Sequence, residues 1–512
     1  MSGVGAVRRL LVAAVLVVLV AAMAVFDSPS TLRRPVAVPA PGDQPQVGAM
    51  ALPVPNAAAR ARSTPIASPT GVASSTWFCG GGAPSGAGDL ATTLILSNRS
   101  SHAVTATITA TSSEHRRTVS TVVVPARTTE PAKLELGTKG TAGAVVESRG
   151  GGLVVSQRVG SGSKVTTAAC ATSSSASWYF AGGDTQRGAK ELLVLFNPFD
   201  DLATADVTFI TEDGFRRPQA TQGLPVPGRS IVVVDAASVQ NRRSNLASAV
   251  TTRAGRLVVW RTQTFDGSGP ELERAFAPSG VSVQLGATTA LSRFTLPTAA
   301  TGEGVAPRVI LANLGTVDST VRLSFDPDDP ATNGQPPDAT VRVPSGAVHV
   351  LGAEQLRQVP SGVPFTVSGT VTSGGPVVAE LWLDGADPAK GHGSSAAPAM
   401  PVTSTSWVVP IGLAAPSLDL LGITAFGRSA TIRIEVLAGG RASRVRGARV
   451  PARVGAGGRV TADLGKLLAD HPGATVLVES SAPVVVSRLQ AGDDAHGFVS
   501  MAGLPAGALA SP

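Results

Sequence analysis

Leu193-Val194-Leu195-Phe196-Asn197-Pro198, followed by Ala205-Asp206-Val207-Thr208-Phe209-Ile210-Thr211 and Glu212-Asp213-Gly214, is the stretch from which the fold is read. Its first run is apolar and stops at Asn-Pro. Its second alternates with a period of two and ends at a Gly that supplies a hairpin's positive φ, as half-buried antiparallel strands do. The same order of landmarks occurs elsewhere. Thr93-Leu94-Ile95-Leu96-Ser97-Asn98 and Val309-Ile310-Leu311-Ala312-Asn313 repeat the Asn-ended run, while Gly422-Ile423-Thr424-Ala425-Phe426-Gly427 stands in a fourth copy without the Asn. A Val-Pro pair follows each, at Val124-Pro125, Val226-Pro227, Val343-Pro344 and Val450-Pro451. A closing apolar run comes last, at Leu153-Val154-Val155, Leu257-Val258-Val259, Pro376-Val377-Val378 and Pro483-Val484-Val485.

The copies open at Trp77, Trp178, Phe294 and Trp407, which lie 101, 116 and 113 residues apart in a chain of 512. That period predicts four domains of a size that folds alone. Charged residues make up only 15% of the chain and Gly, Pro and small residues abound, which excludes long helical bundles and favours short strands with tight turns. About seven strands in each hundred residues predict an all-β architecture: four tandem immunoglobulin-like β-sandwich domains strung along a rod, after an N-terminal transmembrane or signal-anchor helix. The expected divisions are 1–26 for the anchor or signal peptide, 27–75 for a Pro/Ala/Ser-rich linker, and 76–175, 176–290, 291–403 and 404–505 for the four sandwiches.

The landmarks from Asn197-Pro198 through Asp213-Gly214, Val226-Pro227 and Val258-Val259 resemble bacterial extracellular immunoglobulin-like and fibronectin-like domains. In outline, over about residues 77–505, the chain is similar to a family of exported actinobacterial proteins known only as a domain of unknown function. That resemblance implies location and fold, and it brings no catalytic residues.

Arg8-Arg9 precede an apolar run from Leu10 to Phe26. This is either a signal anchor through residues 10–26, giving a single-pass cell-membrane protein, or a signal peptide cleaved after Ala24, giving a secreted one. Both put the bulk of the chain outside the cytoplasm. The two cysteines, Cys79 and Cys170, bracket the first repeat, and export favours a disulfide between them. The formal charge of +7 is modest for this length and is no nucleic-acid signature.

Chemistry is sparse. Six scattered histidines and no recognisable catalytic or metal motif argue for a protein without catalytic residues, cofactor or metal. Three patches remain as candidates. Arg441, Arg444, Arg446, Arg449 and Arg453, with Arg459 close behind, offer guanidinium groups to a polyanion such as a cell-wall polymer. Asp326, Asp328 and Asp329 form an acidic turn able to offer oxygens to an ion. Trp260 and Trp382 have no counterparts in other repeats and are the candidates for sugar platforms if exposed. The expected role is a non-catalytic binding or scaffolding protein of the cell envelope, whose partner is a wall polymer or an envelope protein. A wall spacer, or a hydrolase or accessory subunit of a glycan-processing system, is the alternative.

Overall fold

The computed structural model describes residues 64–512, apart from 83, 86–87, 137–139, 162–163, 271–275, 303, 353, 388–390, 414–415, 439–440, 445–452, 469–473, 493–496 and 511. The described residues belong to one compact unit. They are built from antiparallel strands, with helix confined to single turns such as Pro330–Asn333 and Leu464–Leu467. The apolar run expected to anchor the chain lies outside the described residues, and among the described residues no helix is long and apolar enough to cross a membrane.

The strands sort into four sets. In the second, the opening strand Ser177–Phe180 pairs with Ala247–Ala254, which pairs with Ala203–Thr211 and then Gly214–Arg216. Against this sheet lies another, ordered Ser230–Asp235, the Asn strand Ala189–Asn197, the closing strand Val258–Asp266 and a final strand Ser279–Leu285. The first and third sets keep the same order. In the fourth, returning and closing strands fuse into Thr475–Gly492, which pairs with Thr403–Val409 and Ala430–Ala438 through its first half and with Pro416–Ala425 and Phe498–Ala502 through its second. The alternation visible in the sequence explains the packing: Ala205, Val207 and Phe209 point inward to meet Leu193, Leu195 and Val259. Gly214, at φ 89°, closes the hairpin opposite Thr211.

Both recurring landmarks belong to one device. Asn98, Asn197 and Asn313 are fully buried. Each Nδ2 donates to the carbonyl of the Val in the Val-Pro pair, at 3.0, 3.0 and 2.9 Å for Val124, Val226 and Val343. Each also donates four residues ahead, to His102, Asp201 and Val317, while its Oδ1 accepts the amide two residues on. The asparagine thus ties the loop after its own strand to the Val that ends an edge strand, and the Pro that follows brings no N–H to that strand end. The fourth copy turns differently, through Gly427 at φ 67°.

The sandwiches are not strung along a rod. The final strands Lys164–Ala169, Ser279–Leu285, Gly391–Pro398 and Phe498–Ala502 pack side against side, each on the next and the fourth back on the first, so the repeats close into a ring. Head-to-tail contacts close in this way when the rotation per unit divides a full turn. The expectation of a rod fails because the faces between repeats are apolar and buried. Phe78, Val159 and Ala171 of the first repeat enter the core of the second, and Val408 and Leu504 of the fourth enter that of the first.

Candidate functional site

Where the final strands meet there is a partly open hollow of about 90 Å³, lined by small and apolar residues such as Ala168, Val283, Ala397 and Met501. A site for a metabolite needs roughly 300 Å³ or more. The axis is therefore a packed seam, and the chemistry concentrates at the joints between neighbouring repeats.

The first three joints follow one pattern: the end of an opening strand, or the chain leaving it, presses on the next repeat's closing strand. At the first, a Cβ on Gly80 would come 2.9 Å from the Trp260 ring, and Thr262 Oγ1 donates to the Gly81 carbonyl at 2.5 Å. At the second, a Cβ on Gly182 would lie 2.7 Å from Ile310 and 3.0 Å from Trp382 Nε1. At the third, Thr298 N donates to Ser487 Oγ at 2.9 Å, and Ser500 Oγ donates to the Thr298 carbonyl at 2.8 Å. The fourth joint, which closes the ring, places Ser97 Oγ 2.7 Å from Thr475 Oγ1. The glycines are needed because backbone meets an aromatic face with no room for a side chain.

Within the repeats the same strand position carries a polar anchor. Gln157, Arg261 and Arg488 sit opposite Leu94, Leu193 and Leu421 in the Asn strands, and all three are buried. Gln157 donates to Gly80 near the end of its own opening strand, and Arg261 to Gly182 and Arg488 to Pro410 just past the end of theirs. In the third repeat Leu381 stands there.

The second joint is the richest in buried charge. Arg261 and Glu380, each 1% exposed in its side chain, pair at 2.9 Å. Glu380 also accepts from Ala181 N at 2.8 Å, Gln284 Nε2 at 2.8 Å and Trp382 Nε1 at 3.0 Å. Arg261 lies 4.8 Å from the Trp382 ring and 5.2 Å from that of Phe180. Nearby, Arg308 pairs with Asp384 at 3.2 Å and reaches back to Asn245 of the second repeat. Such a network is closed to solvent and fixes the orientation of two domains; it offers substrate no surface.

Glu191 lies beside this network, fully buried, and neither carboxyl oxygen has a hydrogen-bond partner among the described residues. Burial pushes its pKa up to about 8, against the opposing pull of Arg261. The folded protein thus holds a proton that the unfolded chain releases near 4.5. Stability is full below that value and falls as pH rises toward about 8, at up to about 1.4 kcal/mol per pH unit. Glu191→Gln is expected to flatten the difference in urea midpoint between pH 5 and pH 8; an unchanged slope would place the proton elsewhere.

The sequence-derived candidates fare differently. Cys79 and Cys170 form a disulfide with their Cα atoms 4.6 Å apart. Trp260 and Trp382 are fully buried and are joint residues, so they are not sugar platforms: their missing counterparts reflect different fillings of different joints. Arg459 does not stand in an exposed row. It is buried, donates to Thr366 Oγ1 at 2.9 Å, Thr298 Oγ1 at 3.1 Å and the Pro364 carbonyl at 3.1 Å, and pairs with Asp328. Burial lowers its pKa while Asp328 pulls it back up. The acidic turn is dispersed. Asp328 faces that guanidinium, Asp329 accepts from Thr332 at 2.6 Å, and Asp326, its pKa raised by burial, accepts from Ser368 at 3.3 Å. Among the described residues no three His, Cys, Asp or Glu side chains gather as a metal site would require. Arg441 and Arg444 lie on the strand Arg441–Arg444 opposite Ala438 and Glu435, at a sheet edge. Arg453 is exposed and donates to Ser429 at 2.9 Å, whereas Arg446 and Arg449 lie outside the described residues.

Sequence reasoning missed Arg261, Glu380 and Arg488. Their signal was available: a charge inside an otherwise apolar closing strand, as in Val377-Val378-Ala379-Glu380-Leu381-Trp382-Leu383, is a charge that needs a buried partner.

Residues 151–271 match the model of a family described as "Family of unknown function (DUF5719)". The matched stretch runs from the closing strand of the first repeat through most of the second. No curated protein matches the chain. Among solved structures, the chain is similar to one described as "Crystal structure of tetra-tandem repeat in extending region of large adhesion protein", at 12% identity over 81% of this chain and 92% of that one, with a TM-score of 0.09. A superposition that poor carries no argument about fold or role.

Proposed function

We infer that this chain is a non-catalytic scaffold or binding module of the cell envelope, its ring of immunoglobulin-like sandwiches held outside the cytoplasm by the N-terminal apolar segment. The observation that carries this reading is the closed ring, in which four similar domains are fixed by buried joints round a packed axis. Fixed domains hold their outward edges and loops in a constant array, which suits multivalent contact with an extended partner. The disulfide suits an oxidising compartment. The edge hairpin with Arg441 and Arg444, and Arg453 beside it, is the surface proposed for an anionic wall polymer.

Co-sedimentation of the full chain, in mild detergent, with isolated wall material across a salt series tests this. The expected result is saturable retention that weakens with salt and falls several-fold in an Arg441→Ser, Arg444→Ser, Arg453→Ser variant. Release of soluble glycan fragments, abolished by neutralising an acidic pair, would replace the scaffold reading with the hydrolase.

A further inference from the structure

In the first repeat the strand Arg117–Val124 is the outermost of its sheet, ordered Ser74–Gly82, Ala142–Arg149, Val104–Ser112, Arg117–Val124. Thr118-Val119-Ser120-Thr121-Val122-Val123-Val124 contains no charge, no Pro and no Gly, and residues 117–121 and 123 are exposed. Val119 and Val123 are 63% and 59% exposed, the most open of the large apolar side chains among the described residues. Long, neutral, β-branched edges invite another strand, and proteins normally blunt them with charge, Pro or shortness.

In the other three repeats the described part of the corresponding edge is shorter or interrupted. In the second it is broken into Gly214–Arg216 and Leu224–Val226, with Pro218 between them and Pro225 inside. In the third it is Ala339–Val343, carrying Arg342 and preceded by Pro336-Pro337. In the fourth its described pieces are Arg441–Arg444, with arginine at both ends, and Arg453–Val454. Among the described residues, the first repeat's edge is thus the longest unbroken one, with its single charge at one end.

We propose that Arg117–Val124 is a homotypic docking edge, which pairs antiparallel with the same strand of a second copy of this chain. The ladder decides the register. Ser112 N donates to the Arg116 carbonyl, so along the hairpin Thr118, Ser120, Val122 and Val124 turn their backbone groups inward to Val104–Ser112. Arg117, Val119, Thr121 and Val123 then turn theirs outward. Antiparallel pairing that uses all of these outward groups sets Arg117 against Val123, Val119 against Thr121, and Ser120 against Ser120 of the other copy. This contact is two-fold symmetric and closes as a dimer. Charge agrees with it: the two Arg117 side chains lie about 20 Å apart along the ladder, beyond the screening length at physiological salt. Val119 and Thr121 become a β-branched cross-strand pair. The Pro-rich segment before residue 64 is a poor rival occupant, since Pro cannot donate to a ladder.

Ser120 faces its own counterpart in a non-hydrogen-bonded pair, with Cα atoms about 4.5 Å apart, a separation that a disulfide spans. Both native cysteines are already joined, so Ser120→Cys adds the single free thiol. Mild oxidation of the full chain carrying Ser120→Cys is expected to give a covalent dimer. Thr118→Cys, which would face Val122, is expected to cross-link several-fold less, and adding Thr121→Pro to Ser120→Cys is expected to abolish the cross-link by removing an outward N–H. A monomer from Ser120→Cys, or equal cross-linking from Thr118→Cys, overturns the register and the proposal. Cross-linking in envelope extract to a different protein alone would assign the edge to that partner and overturn self-pairing.

Discussion

Glu380→Ala is expected to lower stability by about 3 to 5 kcal/mol, the cost of leaving one member of a buried ion pair without its partner. The reason lies in what Glu380 holds. Its carboxylate is the acceptor for Arg261 of the second repeat, for the Ala181 amide, for Gln284 and for the Trp382 indole, all in a joint closed to water. Removal strands these donors together, and water cannot replace the lost acceptor without opening the joint. Urea unfolding followed by tryptophan fluorescence is the measurement, because Trp382 reports directly on the network. The expected signature is an early transition in which the joint between the second and third repeats opens. Changing Arg261→Met alongside Glu380→Leu removes both charges together, and is expected to cost markedly less than either single change. If Glu380→Ala shifts the midpoint by less than about 1 kcal/mol, the pair does not hold the ring.

Breaking the Cys79–Cys170 bond should be of similar weight and act at a different place. The bond closes a loop with a sequence separation of 91, worth about 4 to 5 kcal/mol in the chain-entropy account. It also ties the opening strand to Ala171, where Phe78 and Ala171 exchange backbone hydrogen bonds at 2.8 Å and both enter the core of the second repeat. Loss is therefore expected to loosen the first repeat and the joint after it. Comparing thermal unfolding with and without reductant, and in a Cys79→Ser, Cys170→Ser variant, checks this. Equal midpoints in all three would show that the ring alone holds the first repeat. The Glu191 titration belongs to the second repeat, so its pH dependence is expected to persist in the reduced protein.

The two effects divide what is local from what is not. The disulfide was legible from two cysteines bracketing one repeat of a chain expected to be exported. The Arg261–Glu380 pair was not, because 119 residues separate its members and neither lies in a motif. Arg459 shows the same limit. Among neighbouring arginines in the sequence it reads as one of a basic row, yet its register opposite Thr424 turns it onto Asp328, 131 residues away. Trp260 and Trp382 read as unmatched aromatics, and only their packing on glycines of the preceding repeat makes them joint residues.

The amino-acid sequence by itself determined the strands, their alternation and the fourfold repeat. Each of these depends on neighbours two residues apart or on turn residues within a few positions, and so is written in local order. It also determined the Asn and Val-Pro landmarks, although not that they bond to one another. Only the tertiary structure decided that the repeats close into a ring, which charges are buried, and which edge stays open. Those outcomes depend on how one repeat's glycines and aromatics meet the next repeat's closing strand, a match of surfaces distant in the chain that no local pattern encodes.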